Sequence, residues 1–405
     1  MTKKRLALVA PSLAIGGGVT SVARFLRDVA LDSGRFDLKM LSLCMDSRDS
    51  ASVRLLRPQT WRQGLRSEPA DWEGYPCTRI GARFAELEFQ RYKGNSVLAA
   101  QLADVDVIQV VAGTPAWANP VLGLGKSVSL QVATRACVER RRRDAAPRSP
   151  ADWWRRAMTE ITDRYDDRAL QRCDAIQVEN HWMYGYAQRL NGARPVDLRY
   201  APPGVDTSLF CPVAARSYEQ NPYILCVGRL SDPRKNVELL GRAFVALVDK
   251  GDRYTRLVLA GKSPPSAAFW EVIERAGMRD RVTYLAGVTE AELVALYQQA
   301  AVFALPSDEE GLGVVVLEAM SCGVPVVSTR CGGPDGIIRD GIDGYLIPLN
   351  NLELLSSHLE QLLADADLNK QMGRAARQRI EAAFSVDVTA RAFLETWNRL
   401  LYEVT

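Results

Sequence analysis

The stretch PSDEEGLGVVVLEAMSCGVPVVST, residues 306–329, reads as a loop, a helix that the loop starts, and a buried strand beyond it. Glu310 sits in the loop just ahead of Gly311, Leu312 and Gly313, and Glu318 lies eight residues further on, inside the helix. Glycines let backbone N–H groups come close to a ligand, and the N-terminus of a helix favours negative charge such as phosphate. A carboxylate accepts through two oxygens and can hold two neighbouring sugar hydroxyls at once. Two carboxylates flanking such a helix end suit a nucleotide sugar, one for the sugar and one for the ribose. Taken singly, Glu310 is also what a helix start asks for, and Glu318 what a solvated helix face carries.

Upstream of this stretch, RLVLAG (256–261), VTYLAG (282–287) and AVFALPS (301–307) read as short buried strands with helices between them. PVVST (325–329) and YLIPL (345–349) continue the series. The series begins at YILCVGRL (223–230), after the polar, proline-containing CPVAARSYEQNP (211–222), which marks a domain boundary. Before it, Arg5 to Ala10 reads as a strand, Pro11 to Gly18 as a glycine-rich turn, and Val19, Val22, Phe25, Leu26 and Val29 as one face of a helix. VDVIQVV (105–111), SVSLQVA (127–133) and DAIQVEN (174–180) are further valine- and isoleucine-rich strands, of the kind found in parallel sheets covered on both faces.

The expected fold class is α/β: two Rossmann-like, doubly wound domains facing a central cleft. Residues 1–212 form the first domain and 213–384 the second. Residues 385–405, with Phe393, Trp397, Leu400 and Leu401 at helical spacing, form a terminal amphipathic helix, to which Val388 is also assigned.

Bulk properties agree with this. The 405 residues are 47% hydrophobic and 24% charged, enough for two cores and far from the composition of disorder. A net charge of +3 is too small to require nucleic acid, so an anionic partner is recognised locally. The eight cysteines show no CxxC spacing, which favours free thiols in a reducing compartment. The basic start at Lys3, Lys4 and Arg5 imitates a signal peptide, but Pro11 and Ser12 cut its apolar run short and the glycines follow, so it reads as the first buried strand. No run approaches the roughly 18 apolar residues of a membrane span.

The 306–329 stretch resembles the Glu-x7-Glu signature of the retaining glycosyltransferases of the GT-B type, often called glycosyltransferase family 4: PS, then E-G-x-G, then LEAM-x-CG-x-PVV, in order and register. The resemblance extends over most of the chain. VGRLSDPRKN (227–236) is similar to the segment in which an arginine and a lysine grip the donor diphosphate; these are Arg229 and Lys235. Gly17 and Gly18, followed by Val19, match the glycine turn of the family's first domain, where backbone approaches the donor phosphates. Val288 matches a position beside the nucleobase, and APPGVDTSLF (201–210) the segment ahead of the interdomain linker. CGGPDGIIRDGIDGYLI (331–347) matches the glycine-rich closing segment, with Gly336 where an acidic residue is usual.

What the resemblance implies is transfer of a sugar, with retention, from a nucleotide-diphosphate sugar to a hydroxyl of a glycan or lipid-linked acceptor, in cell-surface polysaccharide or glycolipid synthesis. Glu310, Arg229 and Lys235 are the expected catalytic residues; Gly17, Gly18, Val288, Gly311, Leu312, Gly313 and Glu318 the expected donor contacts. No metal and no cofactor beyond the nucleotide sugar is expected. Two rival readings keep the fold: a nucleotide-sugar epimerase, and a non-catalytic subunit of a glycan-assembly complex. A glycosidase built on Glu310 and Glu318 would have no use for the cations at 229–235.

One departure concerns the sugar. The strand SVSLQVAT resembles a segment that in many relatives ends in a donor-facing histidine, and Ala133 stands there; Thr134 and Arg135 are the nearest polar substitutes. Asp104-Val105-Asp106 imitates a metal-binding DxD, but it sits at the turn before a strand. The Arg140–Arg156 region, with Arg140 to Arg143 in a row and Trp153-Trp154-Arg155-Arg156, is either a solvated helix face or a contact with anionic lipid. The expected location is the cytoplasm, with that region against the inner face of the membrane.

Overall fold

The computed structural model describes residues 3–13, 17–46, 48–214, 221–252 and 254–402. Gly16 of the expected glycine turn and residues 215–220 of the expected linker lie outside these. The chain divides into two compact units, 1–203 with 389–405, and 204–388.

The sheet of the first unit contains β1 (Lys4–Pro11), β2 (Phe36–Leu43), β3 (Ser67–Trp72), β4 (Tyr75–Ile80), β5 (Val107–Ala112), β6 (Ser127–Val132), β7 (Ala175–Val178) and β8 (Asp197–Tyr200). Their order is β3-β4-β2-β1-β5-β6-β7-β8, parallel except for the β3–β4 hairpin. Ile108 and Val110 of β5 join the main apolar cluster, whereas Gln109 between them faces the other side. There its amide oxygen accepts from Trp397 Nε1 at 2.7 Å, and Phe25 meets Phe393 at 5.5 Å between ring centres. The helix Val386–Tyr402 is held to this unit by those contacts; Phe393 and Trp397 are fully buried, while Val388 is exposed and takes no part.

In the second unit, β9 (Tyr223–Val227), β10 (Arg256–Gly261), β11 (Val282–Ala286), β12 (Val302–Leu305), β13 (Val326–Thr329) and β14 (Tyr345–Ile347) are ordered β11-β10-β9-β12-β13-β14, all parallel. Successive side chains separate cleanly: Leu225, Phe303 and Leu305 enter one apolar cluster, Ile224, Cys226, Val302 and Ala304 another. The sheet is buried on both faces, which is why its strands read as unbroken apolar runs. The strand order reverses between β9 and β12. In such sheets ligands bind beyond the carboxyl ends of the strands at that switch point.

The unit boundary lies at Pro203/Gly204, ahead of the polar linker. Residues 204–212 belong with the second unit because Val205 bridges Ser385 and the Phe210 carbonyl accepts from Ser321 Oγ at 2.6 Å and from Arg377 at 2.8 Å. No helix among the described residues is long and apolar enough to cross a membrane. All eight cysteines are free thiols.

Candidate functional site

Two loops leave the carboxyl ends of the switch-point strands. One runs from Gly228 to Asn236 after β9, the other from Pro306 to Gly313 after β12. They are joined along their length. The Asp308 amide donates to the Arg234 carbonyl at 2.7 Å, Arg234 pairs with Glu309 at 2.9 Å, and Asn236 donates to Asp308 at 2.9 Å. Arg234 is further held by Asp232 at 2.8 Å. These clasping residues were not singled out from the sequence, because a lone arginine or asparagine in a loop carries no spacing signal.

Within this frame Lys235 Nζ donates to Glu310 Oε1 at 2.5 Å, and Ser307 Oγ donates to the same oxygen at 2.7 Å. Both members of the pair are largely shielded, with side-chain exposures of 16% and 10%. Glu310 is fixed from behind: its amide donates to the Cys331 carbonyl and its carbonyl accepts from Gly333 N, both at 2.9 Å. The CGGP segment therefore acts as a backstop. Arg229 differs from Lys235; its side chain is 65% exposed and only 3.4 Å contact with Asp232 restrains it. An anion arriving at this edge meets one loosely held guanidinium and one ammonium already balanced by a carboxylate.

Gly313 caps the helix Val314–Ser321 at φ +82°, a left-handed conformation that glycine adopts without strain. Leu312 is buried beneath the loop, and Gly311 is half-buried. Glu318, half-buried on the helix, accepts from the hydroxyl of the fully buried Tyr297 at 2.7 Å. Burial and the neighbouring Glu318 push the Tyr297 phenol well above its ordinary value, so it stays a donor. Val288 follows β11 and is half-buried at the same edge of the sheet. Thus Arg229, Lys235, Val288, Glu310 and Gly311 to Gly313 share the carboxyl edge of one sheet, with Glu318 on the helix that starts there.

Gly17 and Gly18 belong to the first unit, where both are exposed just beyond β1; Gly17 precedes the helix Gly18–Asp32 at φ +109°. They lie at that sheet's own switch point, between β1 and β5. Arg135, expected as a polar substitute near Ala133, is already committed. It pairs with Asp163 at 2.6 Å and Asp167 at 2.8 Å and stacks over Tyr186. Thr134 is buried with an unpartnered Oγ1, and the Ala133 carbonyl accepts from Asn180 at 2.7 Å. Asp104 and Asp106 are taken up by Arg5, Lys39 and Lys4 around β1. Arg140 is an internal ion pair with Glu88, not a surface cation.

Residues 212–379 match the family model described as glycosyl transferases group 1. This segment of the chain is similar to a glycosyl transferases group 1 domain. The chain is 32% identical over 208 residues to the GDP-mannose-dependent alpha-(1-6)-phosphatidylinositol monomannoside mannosyltransferase of Mycobacterium tuberculosis, a match covering 48% of this chain and 54% of that protein. It is 32% identical over 232 residues to the D-inositol 3-phosphate glycosyltransferase of Salinispora tropica, covering 52% and 48%. The chain thus spans about half the length of these relatives. Among solved structures, a sucrose-phosphate synthase of Thermosynechococcus elongatus superimposes with a TM-score of 0.71 at 21% identity, over 99% of this chain and 100% of that one. An Anabaena protein in complex with UDP and glucose gives 0.69 at 16%, over 98% and 99%. At such identities the likeness is one of fold, and that fold is GT-B.

Proposed function

We propose that the protein is a retaining glycosyltransferase that moves a sugar from a nucleotide-diphosphate sugar to a hydroxyl of a glycan or lipid-linked acceptor, in the synthesis of a cell-surface polysaccharide, lipopolysaccharide or glycolipid. The observation that carries this reading is the Lys235–Glu310 pair beside Arg229 at the switch point of the group 1-like segment. The names of the relatives support a nucleotide-activated donor, GDP-mannose in one of them.

In this reading the donor diphosphate draws Lys235 away from Glu310 and recruits Arg229, while Gly311 to Gly313 and the helix start receive the phosphates. Glu310, released from Lys235, accepts hydroxyls of the sugar, and Glu318, steadied by Tyr297, accepts those of the ribose. The acceptor hydroxyl attacks the anomeric carbon on the face from which the diphosphate departs. The carbon–oxygen bond to the phosphate breaks, a departing phosphate oxygen takes the acceptor proton, and the two cations stabilise the charge that grows there. Neither an enzyme base nor a metal ion is called upon.

The acceptor side is the first unit, working in the cytoplasm at the inner face of the membrane. Trp153 and Trp154, 59% and 52% exposed on the helix Pro150–Leu170, are suited to settle at a lipid interface with Arg155 and Arg156 beside them. Incubation with a panel of nucleotide sugars, without acceptor, tests the reading. Slow release of free nucleotide from one donor names the sugar; silence across the panel, with nucleotide still bound, leaves a subunit that has kept only the fold. Return of an epimerised nucleotide sugar would instead make it an epimerase.

A further inference from the structure

Arg234 and Glu309 stand one residue ahead of Lys235 and Glu310, and the two ion pairs span the same 75 residues of sequence. Their situations differ. All three guanidinium nitrogens of Arg234 are engaged: Nε and one terminal nitrogen on the two oxygens of Asp232 at 3.2 and 2.8 Å, the other terminal nitrogen on Glu309 Oε2 at 2.9 Å. The Arg234 and Glu309 side chains are largely shielded, 18% and 14% exposed. A two-pronged arginine–carboxylate contact is strong and fixes direction, and pulling a shielded cation from two carboxylates is costly. Lys235 faces one carboxylate, and Arg229 is exposed with a single long contact to Asp232. An arriving diphosphate therefore draws on Lys235 and Arg229 and leaves Arg234 in place.

That difference matters once Lys235 has turned to the phosphates. Glu310 then keeps Ser307 Oγ, the Cys331 carbonyl and Gly333 N, partners from its own loop and from the CGGP segment. None of these reaches the loop after β9, which carries Arg229 and Lys235. The register between the carboxylate and the two cations passes to the contacts one residue back. These are the Arg234–Glu309 pair, the Asp308 amide on the Arg234 carbonyl at 2.7 Å, and Asn236 on Asp308 at 2.9 Å. Of these, Arg234–Glu309 is the one between full charges. It lies between the backbone contact and the site pair.

We propose that the Arg234–Glu309 ion pair is the positioning brace of this site, holding Glu310 in register with Arg229 and Lys235 after the donor has taken Lys235 away from it. The inference rests on the donor reading given above. Arg234 and Glu309 act through Glu310 and touch no reacting atom. Misplacing a catalytic group by a fraction of a bond length is enough to slow a reaction markedly without weakening binding.

Amide hydrogen exchange at Asp308, whose N–H donates to the Arg234 carbonyl, reports the brace on the full chain with no ligand present. Lys235→Ala imitates the donor-bound state by removing the contact that the diphosphate would take. Protection at Asp308 should stay within about 3-fold of wild type in Lys235→Ala and fall by about 10-fold or more in Lys235→Ala/Glu309→Gln. Equal protection in the two variants overturns the proposal. In turnover, Glu309→Gln, which keeps the shape of the side chain, should slow donor hydrolysis by about 10-fold or more, with GDP and UDP affinities within about 3-fold of wild type. Added to Glu310→Gln it should slow nothing further, whereas a general loss of folding would show in both backgrounds. Were Arg234 itself a phosphate ligand, freeing it from Glu309 would tighten GDP or UDP; that result, or unchanged hydrolysis in Glu309→Gln, overturns the brace. Absence of hydrolysis of any nucleotide sugar by the wild-type protein, with Asp308 exchange as expected, sinks the transferase reading and leaves the link between the loops standing.

Discussion

Lys235 and Glu310, 75 residues apart in sequence, meet at 2.5 Å because β9 and β12 are neighbours and both end at the same edge. The pair is largely shielded, so neither charge is freely hydrated, and each stands in for the ligand group the other would meet. Removing one partner leaves a buried charge exposed to nothing, whereas removing both does not. Lys235→Ala should therefore lower stability by about 1–3 kcal/mol, and Lys235→Ala/Glu310→Ala by clearly less than the sum of the single changes. Urea unfolding of the four proteins completes the cycle; additive effects would mean the contact carries no coupling. Nucleotide-sugar binding should fall at least about 10-fold in both lysine variants.

Glu310→Gln keeps the shape and a hydrogen-bonding oxygen but removes the charge. If Glu310 holds the sugar as the anomeric bond breaks, donor hydrolysis should slow by about 100-fold or more, in the range of a lost preorganised contact. Nucleotide affinity should shift only a few-fold. A large loss of affinity with unchanged turnover would assign Glu310 to the nucleotide instead.

The second unit was legible strand by strand. β10, for instance, is the whole of RLVLAG, because a sheet buried on both faces needs an unbroken apolar run in each strand. The site residues were legible for a related reason, since they occupy the short loops after those strands. β2, β3, β4 and β8 were not seen. β2 carries exposed Asp37 behind Phe36, β3 and its partner β4 contain Pro69 and Pro76 at the edge hairpin of the sheet, and β8 is half-buried throughout. None of them offers a clean run, and the proline residues count against a strand when only sequence is read. The ion pairs of Arg135 and Arg140 are illegible in the sequence for another reason: the aspartates and the glutamate that absorb them come from positions 28 to 52 residues away.

Tyr297→Phe removes only the hydroxyl that donates to Glu318. The buried ring still fills its place, so the cost should be about 1.5–3 kcal/mol, that of one hydrogen bond to a charged group. Calorimetric unfolding reads this loss directly. If Glu318 positions the ribose, the donor KM should rise several-fold while kcat changes little, and Glu318→Gln should give the larger KM effect of the two.

Glu179 lies at the end of β7, fully enclosed, with Gln131 Nε2 as donor at 3.2 Å. Burial pushes its carboxyl up to about 7, against which the Gln131 bond works only partly. The sign follows from linkage. Because the folded state binds this proton more tightly than the unfolded chain, the neutral carboxyl is favoured, and stability is greatest below the unfolded value near 4.5. It then declines as pH rises towards 7 and levels off above that. The difference corresponds to a penalty on the order of 3 kcal/mol. Glu179→Gln is neutral at every pH and nearly the same shape, so it should match the wild type near pH 4.5 and exceed it in stability at pH 8. Asp166, also buried and raised to about 7 while accepting from Ala116 N and Ala136 N, adds a decline of the same sign that Glu179→Gln leaves in place. Denaturant midpoints of the two proteins between pH 4.5 and pH 8.5 decide the matter. Parallel curves would mean that Glu179 is ionised in the folded protein and that its enclosure is relieved by water.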